Sequence, residues 1–167
     1  MTGDIRILNT GALLELSRRM RAINEEAVRS SMHRRIRRAA EPLRNDLQRT
    51  VRSLPIRSTG AAGRGGPSPT TRPLRATIAA AIRLSVRTTG NPGARVWIDR
   101  AALPPDLRGM PKVMNTGRIR HPVYGNRRRW ATQTTTPLWW EQTIRRHRPR
   151  MEREVERILG DIRRRID

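Results

Sequence analysis

Apolar residues recur every three or four positions along the first third of the chain, and this spacing constrains the fold more than any other feature. The residues that share it are Leu13, Leu16, Met20, Ile23, Ala27, Met32, Ile36, Ala40, Leu43, Leu47, Val51 and Leu54. Such a stripe gives a helix one dry face and one arginine-rich wet face. The sequence therefore predicts a long helix over residues 10–54, with Thr10 as its N-cap. Pro42 removes an interior hydrogen bond, so we expect a kink or break near Glu41.

Residues 56–73, with the sequence IRSTGAAGRGGPSPTTRP, are rich in glycine and proline and hold almost no bulky apolar side chain. This composition is typical of a long, mobile loop. A phosphate-binding loop would need a preceding strand and a following Lys-Ser or Lys-Thr pair, and both are missing here. The segment therefore predicts a loop and no nucleotide site.

The next segment has the period-two alternation of a β-hairpin. Ile82, Leu84 and Val86 alternate with polar residues, and a turn-forming TTGNPG sequence follows. Val96 and Ile98 then resume the alternation, which predicts two paired strands with one buried face. The preceding residues 75–82 form either the extended start of this hairpin or a helical lead-in.

Residues 103–117 indicate one or two short helical turns, broken by Pro111 and ended near Gly117. Segments 118–124 and 129–134 then have strand character, and we expect a GNRR turn between them. Together with the first hairpin, these segments predict a β-rich core over residues 75–135.

A second apolar stripe predicts a C-terminal helix over residues 137–166. Its members are Ile144, Met151, Val155, Ile158, Ile162 and Ile166. Pro149 either kinks this helix or starts its second part. We therefore expect one α+β domain over residues 1–167: a long N-terminal helix, a small and mainly antiparallel β-sheet, and a C-terminal helix packed on the sheet.

The charge balance is extreme, with 36 basic residues against 14 acidic ones and a formal net charge of +22. All the basic residues except Lys112 are arginines. The summed positive charge destabilises a compact monomer by self-repulsion. It favours a polyanion or an acidic protein as a neighbour. The chain has no cysteine and no apolar run near the length of a membrane span, and its first residues, MTGDIRILNTG, lack the apolar region of a signal peptide. We expect a soluble chain made in the cytoplasm, with no membrane partner.

The three histidines are the candidates for catalysis or metal binding. His33 and His147 lie in basic helical segments, where a solvated face is the simpler interpretation. His121 has no acidic residue or second histidine close in sequence, whereas a zinc site or a catalytic triad needs three or more such groups. The sequence therefore predicts no enzyme, no metal and no cofactor.

Nucleic-acid binding is the serious alternative. Five arginine runs supply candidate phosphate contacts: Arg34–Arg35, Arg37–Arg38, Arg127–Arg129, Arg145–Arg146 and Arg163–Arg165. These runs are scattered over the chain, and no helix-turn-helix, RNA-recognition, KH or zinc-finger signature accompanies them. A non-specific DNA-binding or packaging accessory protein therefore stays open, whereas sequence-specific reading of DNA does not.

The segment MNTGRIRHPVYGNRRRWATQTTTPLWWEQTI resembles the signature of the tail-completion family of long-tailed bacteriophages, also called minor tail or head–tail joining proteins. The matching positions are Arg120, His121, Pro122, Val123, Tyr124, Gly125, Asn126, Trp130, Gln133, Pro137, Trp139 and Trp140. The resemblance extends over nearly the whole chain through the order of its elements. An enlarged AAGRGGPSPTTRP insertion departs from the family pattern, so the role of that loop is not carried over.

The same motif has the properties of a rigid interface turn. Pro122 fixes its own φ and favours an extended His121, and Gly125 suits the positive φ of a tight turn. Each tryptophan is expected to fill a pocket. The residues expected at a subunit or partner interface are Arg120, His121, Pro122, Tyr124, Gly125, Asn126, Trp130, Trp139 and Trp140, and those expected to face DNA are Arg127, Arg128 and Arg129.

The resemblance implies a structural virion protein that forms a ring at the head–tail junction or at the head-proximal end of the tail. It implies a homo-oligomer, with six subunits as the expected number, in contact with neighbouring neck and tail-tube proteins. Non-specific contact with genomic DNA is compatible with that position. The protein would be made in the host cytoplasm and located in the virion. The resemblance does not separate a tail terminator from a completion protein or a connector.

Overall fold

The computed structural model describes residues 5–6, 25–58, 73–89, 92–123 and 126–166. In chain order the helices and strands are β1 (Ile5–Arg6), α1 (Glu25–Ser53), β2 (Arg57–Ser58), α2 (Leu74–Ala80), β3 (Ile82–Arg87), β4 (Gly93–Ile98), α3 (Met110–Asn115), β5 (Arg118–Val123), β6 (Asn126–Thr134) and α4 (Trp139–Ile166). The fold is α+β, as the sequence predicts. Among the described residues, no helix combines the length and the apolar character that crossing a bilayer requires.

Helix α1 lies at the centre of the fold, where it contacts α2, α4 and the strands β3 and β4. Met32, Leu43, Leu47 and Val51 on its dry face are essentially inaccessible to solvent. The helix continues through Pro42, which excludes a break near that residue, and the expected kink stays a prediction. Packing explains the tolerance, since buried side chains on both sides of the proline hold the two halves in place. The predicted Thr10 cap and the first part of the predicted helix lie outside the described residues.

The first hairpin forms as predicted. Strands β3 and β4 pair antiparallel from Ile82 opposite Ile98 to Arg87 opposite Gly93, and β1 pairs with the other edge of β4. The lead-in to this hairpin is the helix α2, which settles the alternative that the sequence left open.

The β-structure divides into two three-stranded antiparallel sheets, with orders β1-β4-β3 and β2-β6-β5, where the sequence predicted one. The second sheet begins with Arg57–Ser58, which pair with Thr134 and Gln133 of β6. The prediction of a loop is therefore wrong for these two residues. The rest of the predicted mobile loop, residues 59–72, lies outside the described part of the chain.

The connection between the two sheets contains two 3-10 turns, Arg100–Ala102 and Pro105–Leu107, followed by α3. Pro111 lies in the first turn of α3, where no backbone N–H is needed. The expectation that Pro111 breaks this segment is therefore wrong. Gly117 ends this segment with a φ of +82°, which agrees with the expected end of the helix.

Helix α4 runs antiparallel to α1 and reaches the first sheet through a cluster of Val155, Ile158 and Leu159 with Ala94 of β4. Polar contacts fix the helix pair at two places. His147 Nε2 lies 2.9 Å from Asp46 Oδ2, and Arg35 bonds Asp161 nearer the other end.

The side chain of His147 is only 16% exposed, so the expectation of a solvated histidine at this position is wrong. Pro149 lies inside the continuous α4, which excludes a new helix starting at that proline.

Candidate interaction surface on the second sheet

Strands β5 and β6 form a hairpin, here called the arm, whose base is locked to the start of α4. Gly117 occupies the point where α3 turns into β5, and its carbonyl accepts a hydrogen bond from Thr135 N at 3.0 Å. A Cβ on Gly117 would lie 2.9 Å from Cβ of Pro137 and 3.2 Å from its Cα. Glycine is needed here both for its positive φ and for this close approach.

Asn115 joins the same base to the first turn of α4. Its Oδ1 accepts a hydrogen bond from Trp140 N at 3.1 Å, and its Nδ2 donates to both carboxylate oxygens of Glu141 at 3.1 and 2.8 Å. Its backbone carbonyl accepts from Leu138 N at 2.8 Å. One side chain therefore caps the helix N-terminus and orients the acidic residue of its first turn. Sequence reasoning missed this pair because the two residues are 26 positions apart.

Trp139 and Trp140 are core residues, with exposures of 1% and 5%. Their rings meet edge to face with centroids 5.6 Å apart. They fill internal space, as expected of anchors, but they have almost no surface for a partner. Their assignment to a subunit interface is therefore corrected to the packing that holds α4 against the base of the arm.

The pairing register places several exposed side chains on one face of the second sheet. Arg57 of β2 and Arg118 of β5 both lie opposite Thr134 of β6, one on each side. Arg120 lies opposite Thr132 in the next row on the same face. Directly paired residues in antiparallel strands share a face, and so do residues two apart along a strand.

Trp130 lies at the outer end of this face, opposite Pro122. The guanidinium of Arg120 lies 4.9 Å from the centre of the indole ring, and the indole Nε1 donates to the carbonyl of Arg127 at 2.8 Å. The side chain is nevertheless 48% exposed. Trp130 therefore does not fill a pocket of its own chain, and its place at a partner interface stays a prediction. We call Arg57, Arg118, Arg120 and Trp130 together the arginine face.

The three arginines after Asn126 lie in a bulge of β6. Pairing shifts between Pro122 opposite Trp130 and Val123 opposite Asn126, so residues 127–129 have no partner in the ladder. Asn126 Oδ1 accepts a hydrogen bond from Arg128 N at 2.9 Å and shapes the start of the bulge. The predicted GNRR turn is wrong for Asn126, Arg127 and Arg128, because these residues belong to β6. Tyr124 and Gly125 lie outside the described residues.

His121 is exposed, and its Nδ1 lies 3.2 Å from the carbonyl oxygen of Pro122. No described acidic side chain forms a hydrogen bond or ion pair with it. Within the described segments, no group of three or more histidine, cysteine, aspartate or glutamate side chains is placed to hold a metal ion. The imidazole has the setting of a surface hydrogen-bonding group.

Part of the positive charge on the helices is paired with carboxylates of the same chain. Arg44 pairs with Glu41, Arg148 with Glu152 and Arg157 with Glu154. In contrast, no acidic side chain in the described part of the chain forms an ion pair with the arginine face or with the bulge. Among the described residues, the positive charge of the arm is thus not balanced by carboxylates.

Comparison with models of protein families, with curated proteins and with solved structures finds no match to this chain.

Proposed function

We propose that this chain is a structural subunit of a long-tailed bacteriophage, forming a ring at the head–tail junction or at the head-proximal end of the tail. The class of assembly comes from the sequence resemblance of residues 117–142 to tail-completion proteins. In the ring the chain acts by shape and charge complementarity and catalyses no reaction. Six subunits are the expected number, in contact with neck and tail-tube proteins.

The proposal rests on the separation of the motif into a buried part and an exposed part. Asn115, Trp139 and Trp140 form a buried lock, whereas Pro122 and Trp130 lie on an arm that extends beyond the lock. All the described side chains from Arg120 to Trp130 on the arm are exposed or half-exposed. A rigid base with an uncovered arm is a preorganised contact surface, because little conformational entropy is lost when a partner covers it.

Within this proposal, the outer end of the arm contacts a neighbouring protein. His121 and Pro122 lie there with the bulge Arg127–Arg129, and Tyr124 and Gly125 are expected to join them. With a net charge of +22, contact between identical basic surfaces is unfavourable. The neighbour that covers the bulge is therefore expected to present carboxylates.

Gene deletion and complementation test the proposal in a phage that encodes the chain. Deletion should give particles with defective or missing tails, and the wild-type chain should restore tailed, infectious particles. The bulge variant Arg127→Glu/Arg128→Glu/Arg129→Glu should fail to complement. The matched control Arg37→Glu/Arg38→Glu/Arg150→Glu changes the net charge equally on exposed helical positions and should complement. Normal tailed particles after the deletion would contradict the proposal.

A non-specific DNA-binding or packaging accessory protein is the second candidate. The observation that favours it is the set of arm arginines without acidic partners among the described residues. Such a protein would be absent from mature particles or present in variable number, whereas a ring subunit is present in a fixed number. Quantitative mass spectrometry of purified particles separates the two.

A further inference from the structure

The arginine face combines fixed positive charge with an exposed aromatic ring on one side of a sheet. Neighbouring strands lie about 4.8 Å apart, so Arg57 and Arg118 are anchored about 10 Å apart across β6. Arg118 and Arg120 are two residues apart along β5, which separates their Cα atoms by about 7 Å. The three guanidinium groups are therefore spread over a short track that leads toward Trp130.

Trp130 is held in place before any ligand arrives. Its Nε1 bonds the carbonyl of Arg127, and the guanidinium of Arg120 lies over the ring. These contacts restrict the side-chain rotamers, so stacking another planar group on the ring costs little additional entropy. About half of the side chain remains open, which gives a planar ligand access to the indole.

We propose that the arginine face binds single-stranded nucleic acid. Phosphates of the strand contact Arg57, Arg118 and Arg120. One base stacks on Trp130, beside Arg120. An arginine track with an aromatic platform is the combination that recognises single strands without sequence preference. The inference concerns the purified chain alone and does not depend on its membership in a phage ring.

A nucleic-acid duplex can contact the arginines of this surface but cannot stack a base on Trp130. Its phosphates can contact the arginines, but its bases are stacked on each other and their faces are closed to an indole ring. An acidic peptide also supplies negative charge, but its carboxylates cannot stack on the indole ring of Trp130 as a base can. The position of Trp130 on the same face as the arginines therefore favours unpaired bases over either alternative.

Fluorescence anisotropy with three fluorescein-labelled probes tests the inference: a 20-nucleotide oligothymidylate, a 20-base-pair duplex and a polyglutamate chain. The oligothymidylate should bind most tightly at equal salt. If about three phosphates are contacted, log affinity should fall with log salt with a slope of about −2, since each phosphate of a single strand contributes about −0.7. Equal affinity for all three probes would overturn the inference in favour of a general polyanion surface.

Two charge-matched triple variants locate the binding. Arg57→Gln/Arg118→Gln/Arg120→Gln removes the charges of the face, and loss of three phosphate contacts should weaken oligothymidylate binding at least about tenfold. Arg37→Gln/Arg38→Gln/Arg150→Gln removes the same charge from exposed helical positions and should weaken it far less. Equal losses in both variants would show that net charge, and not this face, determines binding.

Substitutions of Trp130 separate stacking from charge. Trp130→Leu should weaken oligothymidylate binding about tenfold, within the range measured for one stacked base, and should leave duplex binding unchanged. Trp130→Phe keeps a ring and should retain most of the affinity. Circular dichroism confirms that each variant is folded. An equal effect of Trp130→Leu on both nucleic acids would overturn the stacking role, and preferential binding of polyglutamate would assign the face to an acidic protein. Neither result affects the complementation test of the bulge.

Discussion

Replacing Trp139 with alanine tests whether the start of α4 depends on the buried indole pair. Trp139 is 1% exposed, and full truncation of such a side chain costs about 3–5 kcal/mol. Burial of about 150–250 Å² at about 25 cal/mol per Å² gives an upper value of about 4–6 kcal/mol, which agrees. This loss is a large part of the total stability of about 5–15 kcal/mol expected for one domain.

Trp130→Ala is the control, because it is the same substitution on a side chain that is 48% exposed. Only about half of the apolar area is buried there, so we expect a cost of about 2–3 kcal/mol. Urea unfolding followed by circular dichroism measures both free energies, provided that each variant unfolds in one cooperative step. A larger loss for Trp130→Ala than for Trp139→Ala would refute the assignment of one indole to the core and the other to the surface.

A third variant, Trp139→Phe, separates packing from hydrogen bonding at the same position. The Nε1 atoms of Trp139 and Trp140 are buried without a hydrogen-bond partner among the described residues. An unsatisfied buried donor costs about 1–3 kcal/mol, so phenylalanine recovers part of what its smaller ring loses. We therefore expect Trp139→Phe to remain within about 1.5 kcal/mol of the wild type, as conservative core substitutions usually do. A loss as large as that of alanine would show that the indole N–H has an acceptor.

The remaining predictions concern the lock at the base of the arm and the far end of the helix pair. Gly117→Ala should destabilise the chain by at least about 1–2 kcal/mol, the cost of a left-handed conformation for a residue with a Cβ, and thermal unfolding measures it. Asn115→Asp should also destabilise the chain at neutral pH, because a second carboxylate would then face Glu141, and the same measurement tests it. Hydrogen bonds from Arg35 hold the pKa of Asp161 below its usual value of 3.8. That pair therefore stabilises the fold above this pH and is lost as the pH falls through the lowered pKa, so Asp161→Asn should flatten the acid side of the stability profile.

The elements that the sequence predicts correctly are those whose local pattern and tertiary packing agree. The stripe from Met32 to Val51 gives a helix because the spaced residues all find the same core. The alternation over 82–87 and 93–98 gives a hairpin because its turn is short and its partner is adjacent in sequence. Gly117 ends the α3 segment because its φ of +82° is a conformation that glycine adopts more readily than residues with a Cβ.

The errors have long-range causes. Arg57–Ser58 have no strand pattern and pair only because β6, about 76 residues later, offers an open edge. His147 is half-buried and lies against Asp46, which is 101 positions earlier in the chain. No local signal in the sequence marks either contact.

The motif was predicted as one interface, but its residues separate into a buried group and an exposed group. They are close in sequence, yet Trp139 and Trp140 are buried in the lock, whereas Trp130 is exposed on the arm. Three tryptophans have the same intrinsic preferences, so the packing around each one determines its role. The run of arginines before Trp130 was the sequence signal for an exposed position, because consecutive charges are rarely buried together.

The copy number and symmetry of the chain in a reconstruction of the tailed particle test the central proposal most directly. The account predicts a closed ring, with six copies, at the head–tail junction or at the head-proximal end of the tail. It also predicts that the bulge Arg127–Arg129 is covered by a neighbouring protein. A chain that is absent from the particle, or present in a variable number along the DNA, would contradict the account and favour an accessory role in nucleic-acid binding.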